Sequence, residues 1–175
     1  MSDELRIDDK EFIAFFKAVA QVDPDLKKAL RKKMTALAKP IVQEVRAAAL
    51  AIPSRGGEVA GMRKKKGELL GLRAGLATAT KSDISTTGRG AVMHIRVSTS
   101  RFLSVSGRPR TIPYYMEGRR KRKWRHPVFG NKEFWVEQAS HPFLSETVIK
   151  RRDEFADGLT DAVNETLEQL DHKIN

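Results

Sequence analysis

Arg119, Arg120, Lys121, Arg122, Lys123 and Arg125 place six cations within seven residues, interrupted only by Trp124. Such a run can neutralise phosphates along a nucleic-acid backbone, releasing condensed counterions and making binding salt-dependent. It can equally stand in water as the guard of a sheet edge, since positive charge discourages unwanted strand pairing. No base-reading element accompanies it. The run therefore points to a DNA or protein partner of negative charge without choosing between them. Lys64, Lys65 and Lys66 form a second, shorter cationic cluster inside a Gly- and Lys-rich segment.

The aromatic residues that follow the basic run raise a second possibility. Trp124, Phe129, Phe134 and Trp135 could offer stacking platforms to single-stranded nucleic acid. Four of the chain's twelve aromatics, both tryptophans among them, are gathered here, however, and a small sheet needs such side chains for its core, so packing is the expected use. The other chemistries find little material. His94, His126, His141 and His172 show no paired metal-ligand spacing. Cysteine is absent, which removes disulfides, thiolate nucleophiles and cysteine-held clusters together. No nucleophile elbow, HExxH or GxGxxG occurs, so no catalytic, cofactor or metal residue is assigned and the chain is not expected to be an enzyme.

The elements that would hold these residues follow from periodicity and caps. A length of 175 residues fits one domain, 1–175, with appendages. Asp8 or Asp9 can cap a short helix carrying Phe12, Phe15, Phe16 and Val19, giving an N-terminal helical arm over 1–22. Asp23-Pro24-Asp25 then supplies a cap, a proline at the first helical position and an acid in the first turn. Leu26, Leu30, Leu37, Ile41 and Val45 share one face of the long helix that follows, with a bend expected at Pro40. Residues 54–67 are expected to be a flexible loop.

Leu69, Leu72 and Leu76 suggest a short helix over 67–80, and KSDISTTGRG reads as a turn. In AVMHIRV, residues 91–97, Ala91, Met93, Ile95 and Val97 alternate with Val92, His94 and Arg96, the pattern of a half-buried strand. Phe102, Leu103 and Val105 make a second apolar piece. Residues 119–138 read as a basic arm and hairpin, with strands around Trp124–Val128 and Glu133–Val136 joined at Gly130-Asn131, and with Pro127 tolerated on an edge. After His141-Pro142-Phe143, Ser145 can cap a closing helix striped by Val148, Ile149, Phe155, Leu159, Val163, Leu167 and Leu170. The expected fold class is α+β: a long N-terminal helix and a C-terminal helix packed on a small antiparallel sheet with a protruding hairpin.

Charge is unevenly spread over this frame. The net charge is +11, yet residues 153–171 hold seven acids and no Lys or Arg. Asp153, Glu154, Asp157, Asp161, Glu165 and Glu168 could meet a basic patch on a neighbouring copy or simply face water. The N-terminus lacks the features of a signal peptide, and no apolar run approaches bilayer length, so a cytosolic product without membrane contact is expected.

Several of these stretches together resemble a known family. AKPIVQEVRAAA (38–49), GLRAGLATAT (71–80), YYMEGRRKRKWRHPVFGNKEFWVEQ (114–138) and HPFL (141–144) are similar to the small tail-component family of long-tailed bacteriophages. That family includes head-to-tail connector, or neck, proteins and is similar in role to lambda's minor tail protein Z. The resemblance covers roughly residues 25–170. It rests chiefly on Trp124, His126, Pro127, Val128, Phe129, Gly130, Asn131, Trp135, Val136, Pro142 and Phe143. It implies a virion structural protein: a homo-oligomeric ring at the portal–tail junction, serving as connector, tail completion or tail terminator protein. Implied partners are other neck and tail proteins, an adaptor or stopper and the tail tube, with genomic DNA in the channel. Assembly would take place in the bacterial host cytoplasm. The family brings no catalytic residues to carry over. On the residues alone, a free basic nucleic-acid-binding protein remains the alternative.

Overall fold

The computed structural model describes residues 2–5, 14, 18–19, 21, 23–53, 60–63, 69–87, 90–99, 102, 112–118, 123–128 and 131–174. The fold is α+β: a long N-terminal helix and a C-terminal helix pack together with small antiparallel sheets. Helix α1, Pro24–Leu50, starts where the sequence predicts. Asp23 Oδ1 accepts from the backbone N–H of Asp25 at 2.8 Å and of Leu26 at 3.3 Å, satisfying donors that the first turn leaves open. Pro40 lies inside the helix without ending it. Its ring faces solvent, and the buried stripe of Met34, Ala38, Ile41, Val42, Val45 and Ala49 passes through in phase.

That stripe is the spine of the core. Against it pack Leu76, Ala77 and Ala79 of helix α2, Leu72–Ala79, and Ile84, Met93, Ile95 and Val97 of a three-stranded sheet. The sheet is β1 (Ser2–Leu5), β5 (Gly90–Val97) and β4 (Thr80–Thr87), in that spatial order and antiparallel throughout. Strand β5 alternates as expected, with Met93, Ile95 and Val97 buried and Arg96 exposed. Two arginines of α1 reach the edge strand β4: Arg31 Nη2 donates to the Ile84 carbonyl at 3.1 Å and Arg46 Nη2 to that of Thr80 at 2.9 Å. An edge strand held by side-chain donors is less open to foreign pairing.

Several elements differ from the sequence expectation. The segment KSDISTTGRG is mostly strand β4, because Thr80 and Ile84 turn inward while Lys81 and Asp83 face water. Its polarity masked a period of two. Within the expected helical arm, Ser2–Leu5 is instead β1, paired from Ser2↔Arg96 to Leu5↔Met93. The open edge of β5 recruits a segment of little intrinsic strand propensity. Ala14, Ala18, Val19 and Gln21 are helical and Val19 is buried; Phe12, Phe15 and Phe16 lie outside the described residues. The expected loop 54–67 contains strand β2, Ala60–Arg63, antiparallel to β3, Leu69–Gly71, so α2 begins only at Leu72. Phe102 is buried, whereas Leu103 and Val105 lie outside the described residues.

The closing helix is two helices, α4 (Ser145–Lys150) and α5 (Arg152–Ile174), jointed at Arg151. Lys173 pairs with Asp23 at one end of α1 and Arg151 pairs with Glu44 further along it, so α5 runs antiparallel to α1. The two anchor pairs are separated by about 32 Å on either helix at ~1.5 Å per residue, so both can close at once. Between them, Gly158 meets Leu37: a Cβ on Gly158 would lie 2.7 Å from Leu37 Cδ2. Leu37 is only half-buried and its terminal methyl can swing aside. Gly158→Ala should therefore be near neutral in urea unfolding, the roughly 1 kcal/mol gained in helix propensity being offset by the Leu37 rotamer. Gly158→Val, with two branches at Cβ, should separate the helices and destabilise.

Both anchor carboxylates are shifted. Asp23 lies below its ordinary value of 3.8, chiefly through the hydrogen bond from Lys173 and then the Asp25 N–H. Glu44 lies below 4.5, chiefly through the hydrogen bond from Arg151. A carboxyl whose folded value is depressed contributes stability that is complete above its unfolded value and disappears as pH falls through the folded one. Thermal unfolding should thus be flat above about pH 5 and drop progressively below about pH 4.5, with Lys173→Ala removing the largest share of the Asp23 part and leaving the share held by the Asp25 and Leu26 N–H groups. Both carboxylates are half-buried at the surface and their partners Lys173 and Arg151 keep access to water, so the drop attributable to them is modest.

A candidate docking interface

Strands β6, Lys123–Val128, and β7, Asn131–Ala139, form the expected antiparallel hairpin. The register runs from Lys123↔Ala139 through Arg125↔Glu137 to Pro127↔Trp135, then shifts before Val128↔Asn131. Asn131 belongs to β7 rather than to the turn, and Phe129 and Gly130, between the strands, lie outside the described residues. His126 and Pro127 stand in β6. Of the basic run, Lys123 and Arg125 are exposed on β6, whereas Arg119, Arg120, Lys121 and Arg122 lie outside the described residues, as do Lys64, Lys65 and Lys66.

The root of the hairpin is tightly built. Helix α3, Ile112–Met116, ends at Gly118, whose φ of 69° places it in the left-handed region that closes helices at low steric cost. Its N–H donates to the Tyr115 carbonyl at 3.0 Å. Tyr115 stacks on Trp124 with ring centroids 4.9 Å apart, and the Met116 carbonyl accepts from His141 N–H at 2.7 Å. The chain entering the hairpin is thus joined to the chain leaving it.

Glu117 locks this joint to α4. It is 6% exposed, and its carboxylate accepts from the N–H groups of Phe143 (2.9 Å), Leu144 (2.8 Å) and Ser145 (3.1 Å) and from Ser145 Oγ (2.6 Å). The sequence suggested Ser145 as the helix cap. In the fold Ser145 is a donor, and the cap is a carboxylate 28 positions earlier. Its charge sits at a helix start, where negative charge is favoured. Phe143, beside it, is 2% exposed and belongs to the core, and Pro142 is half-buried. The only signal for Glu117 in the sequence is that one acid precedes six cations.

Beyond the root the expected packing fails. Every side chain from Lys132 to Glu137 is exposed, including Phe134 at 64%, Trp135 at 48% and Val136 at 42%. Successive residues of a strand point to opposite faces, so both faces of this stretch of β7 are uncovered. Of the three hairpin aromatics among the described residues, Trp124, at the root, is half-buried and packs against the core. The physical reason is geometric: a two-stranded ribbon has no second layer, and the core is already filled by aliphatics with Phe102, Phe143 and Phe155. The Trp135 indole N–H donates to the Lys132 carbonyl at 2.7 Å, which fixes the exposed ring.

The acidic helix is the second surface. At about 100° per residue, all seven acids from Asp153 to Asp171 fall within an arc of roughly 120° on α5. Buried Phe155, Leu159, Ala162 and Thr166 lie opposite. Acids at the margin nearest α1 are used within the chain: Glu165 pairs with Lys33, and Glu154 with Arg151, which also binds Glu44. Asp153, Asp157, Asp161 and Glu168 are exposed on the outward part of the arc. Part of the acidic face is therefore met within the chain, by Lys33 of α1 and by Arg151, a pairing the sequence did not suggest.

Among the described residues no three His, Asp or Glu side chains converge as a metal site requires, and no described helix is long and apolar enough to cross a membrane. Compared with family models, curated proteins and solved structures, the chain has no match.

Proposed function

We propose that this chain is a structural assembly subunit of a phage neck, a head–tail connector or tail completion protein that forms a ring at the portal–tail junction. No turnover is assigned to it, and its partners are its own copies, neighbouring neck and tail proteins and the DNA passing through the ring. The observation that carries the reading is the hairpin. A protruding ribbon with Phe134, Trp135 and Val136 in water, fixed at its base by Glu117 and the Tyr115–Trp124 stack, has the form of a docking arm. The residues behind the family resemblance support it: Trp124, His126, Pro127, Trp135 and Val136 belong to this ribbon, and Pro142 and Phe143 to its root.

The test is genetic and structural together. Particles made without this protein should have full heads but detached or unstable tails, and restoring it should restore infectivity. Normal, firmly attached tails in its absence would end the reading.

One observation favours a second reading, a free nucleic-acid-binding protein: Lys123, Arg125 and Lys132 are exposed on the same ribbon as Phe134 and Trp135. Cations beside exposed rings suit single strands. Under that reading, gel-shift affinity falls steeply with salt and is lost when Arg119–Lys123 are replaced by Ala. No retention of DNA at low salt would remove it.

A further inference from the structure

We infer that the acidic face of α5 in one copy docks on a basic stripe of α1 in a second copy. This rests on the assembly reading above and names the two surfaces that meet. At about 100° per residue, Lys28, Arg31, Lys32, Lys39 and Arg46 fall within an arc of roughly 100° on α1, with no acid among them. All five are exposed. Arg31 and Arg46 donate to neutral carbonyls of β4, which do not cancel their charge, and Lys28 pairs with Asp25 at the rim of the stripe. Glu44, the other acid of α1, is taken by Arg151. Lys33 and Leu37 face α5, and the stripe lies on the side of α1 away from them. On α5, Asp153, Asp157, Asp161 and Glu168 are exposed, turned from α1 toward solvent. The helix pair thus carries opposite charge on two different sides.

The two faces match in level as well as in sign. Within the chain α1 and α5 are antiparallel, with Asp23 beside Lys173 and Glu44 beside Arg151. Lys28, five residues after Asp23, is therefore level with Glu168, five before Lys173. Lys39, five before Glu44, is level to within one residue with Asp157, six after Arg151. Lys32 falls between the levels of Asp161 and Glu168. A rotation about an axis along these helices changes no level, so α1 of one copy meets α5 of the next antiparallel and with the same residues opposed. Opposite charges then face each other over about 16 Å at ~1.5 Å per residue. Two α1 stripes would oppose their cations and two α5 helices their acids, which selects the mixed contact. Such a contact is heterologous, the kind that propagates from copy to copy and closes when the rotation allows. A nucleic acid would use the basic stripe and leave the acids without a role, whereas a second copy uses both.

Charge reversal and its repair test the contact in the full chain. Lys32, Lys39, Asp157 and Asp161 are exposed, so changing them leaves the internal pairs Lys33–Glu165 and Arg151–Glu44 in place. Lys32→Glu with Lys39→Glu should weaken self-association by about 30-fold in sedimentation, and Asp157→Lys with Asp161→Lys should do the same. The milder Asp157→Asn with Asp161→Asn should still cost about fivefold. All four reversals together should return association to within about threefold of the parent, because the faces again match. A one-to-one mixture of the two double reversals should associate where neither does alone, since the reversed α1 of one chain fits the reversed α5 of the other. Each reversal shifts the charge by two, so from +11 these variants carry +7 and +15, and bulk charge opposes their mixing. A parent chain that stays monomeric at the highest soluble concentration, a folded fourfold variant that stays dissociated, or double reversals that associate like the parent overturn the inference. So does a loss of DNA-oligonucleotide retention in Lys32→Glu with Lys39→Glu while the α5 reversal leaves self-association unchanged. Rings joined by other surfaces would sink this contact and leave the neck reading standing, whereas particles lacking the protein would sink that reading itself.

Discussion

Glu117→Ala is expected to be the most damaging single change among the polar residues, costing about 3 kcal/mol or more in urea unfolding. The carboxylate removes three backbone donors and one hydroxyl from the list of unsatisfied groups at the start of α4, and it does so where water has little access. Truncation leaves those donors without a partner in a buried joint, and each such group carries a penalty on the order of 1–3 kcal/mol unless water enters. Glu117→Gln should recover little, because its amide nitrogen brings a donor to a site already composed of donors. Ser145→Ala removes one of the four bonds and should cost about 1 kcal/mol. The damage should also spread into the hairpin, since the same joint holds His141 to Met116. Hydrogen exchange of β6 and β7 should accelerate in Glu117→Ala. A stability loss below about 0.5 kcal/mol would mean that the carboxylate does not hold this joint in solution.

Trp135→Ala should have the opposite profile, with the fold intact and the assembly lost. The ring is 48% exposed and lies outside the hydrophobic core, so unfolding should change by no more than about 0.5 kcal/mol. Buried at the centre of a contact, a Trp commonly accounts for about 2 kcal/mol or more, which corresponds to a loss of roughly 30-fold in association. Phe134→Ala should act in the same direction on the other face of β7. Circular dichroism and thermal unfolding check the first half, and sedimentation of the full chain or incorporation into particles checks the second. A Trp135→Ala chain that unfolds early but assembles normally would return this residue to the structural role that its sequence position suggested.

The parts of the fold legible from sequence are those where a local signal and the tertiary outcome coincide. Asp23-Pro24 marks the start of α1 because cap chemistry is local. Strand β5 shows in the alternation of Met93, Ile95 and Val97, and the hairpin in the run from Trp124 to Val136. Strand β4 was hidden because Lys81, Ser82 and Asp83 carry turn-like polarity, and only its pairing with β5 turns Thr80 and Ile84 inward. Strand β1 depends still more on its neighbour, since an acidic tetrapeptide pairs only where an edge is open. Glu117 and its helix lie 28 positions from Ser145, and no window-based pattern links them.

The candidate site was legible in its members and not in their disposition. Sequence brings Trp124 and Trp135 forward as a pair of hairpin aromatics, yet the fold divides them: one packs at the root on Tyr115, the other stands in water. Which rings are covered depends on how much second layer exists, and that is a property of the whole chain. The acid face of α5 was likewise visible as composition. Its division into an inner margin paired with Lys33 and Arg151 and an outward part open to others emerges only once α1 and α5 lie antiparallel.

The most direct measurement is an electron cryo-microscopy reconstruction of the neck in the particle whose genome encodes this chain. A closed ring of copies in which each β6–β7 ribbon is buried, with Trp135 covered by a neighbouring protein, is the expected result. Particles without this chain, or a ring whose ribbons point into solvent with Phe134 and Trp135 uncovered, would contradict it.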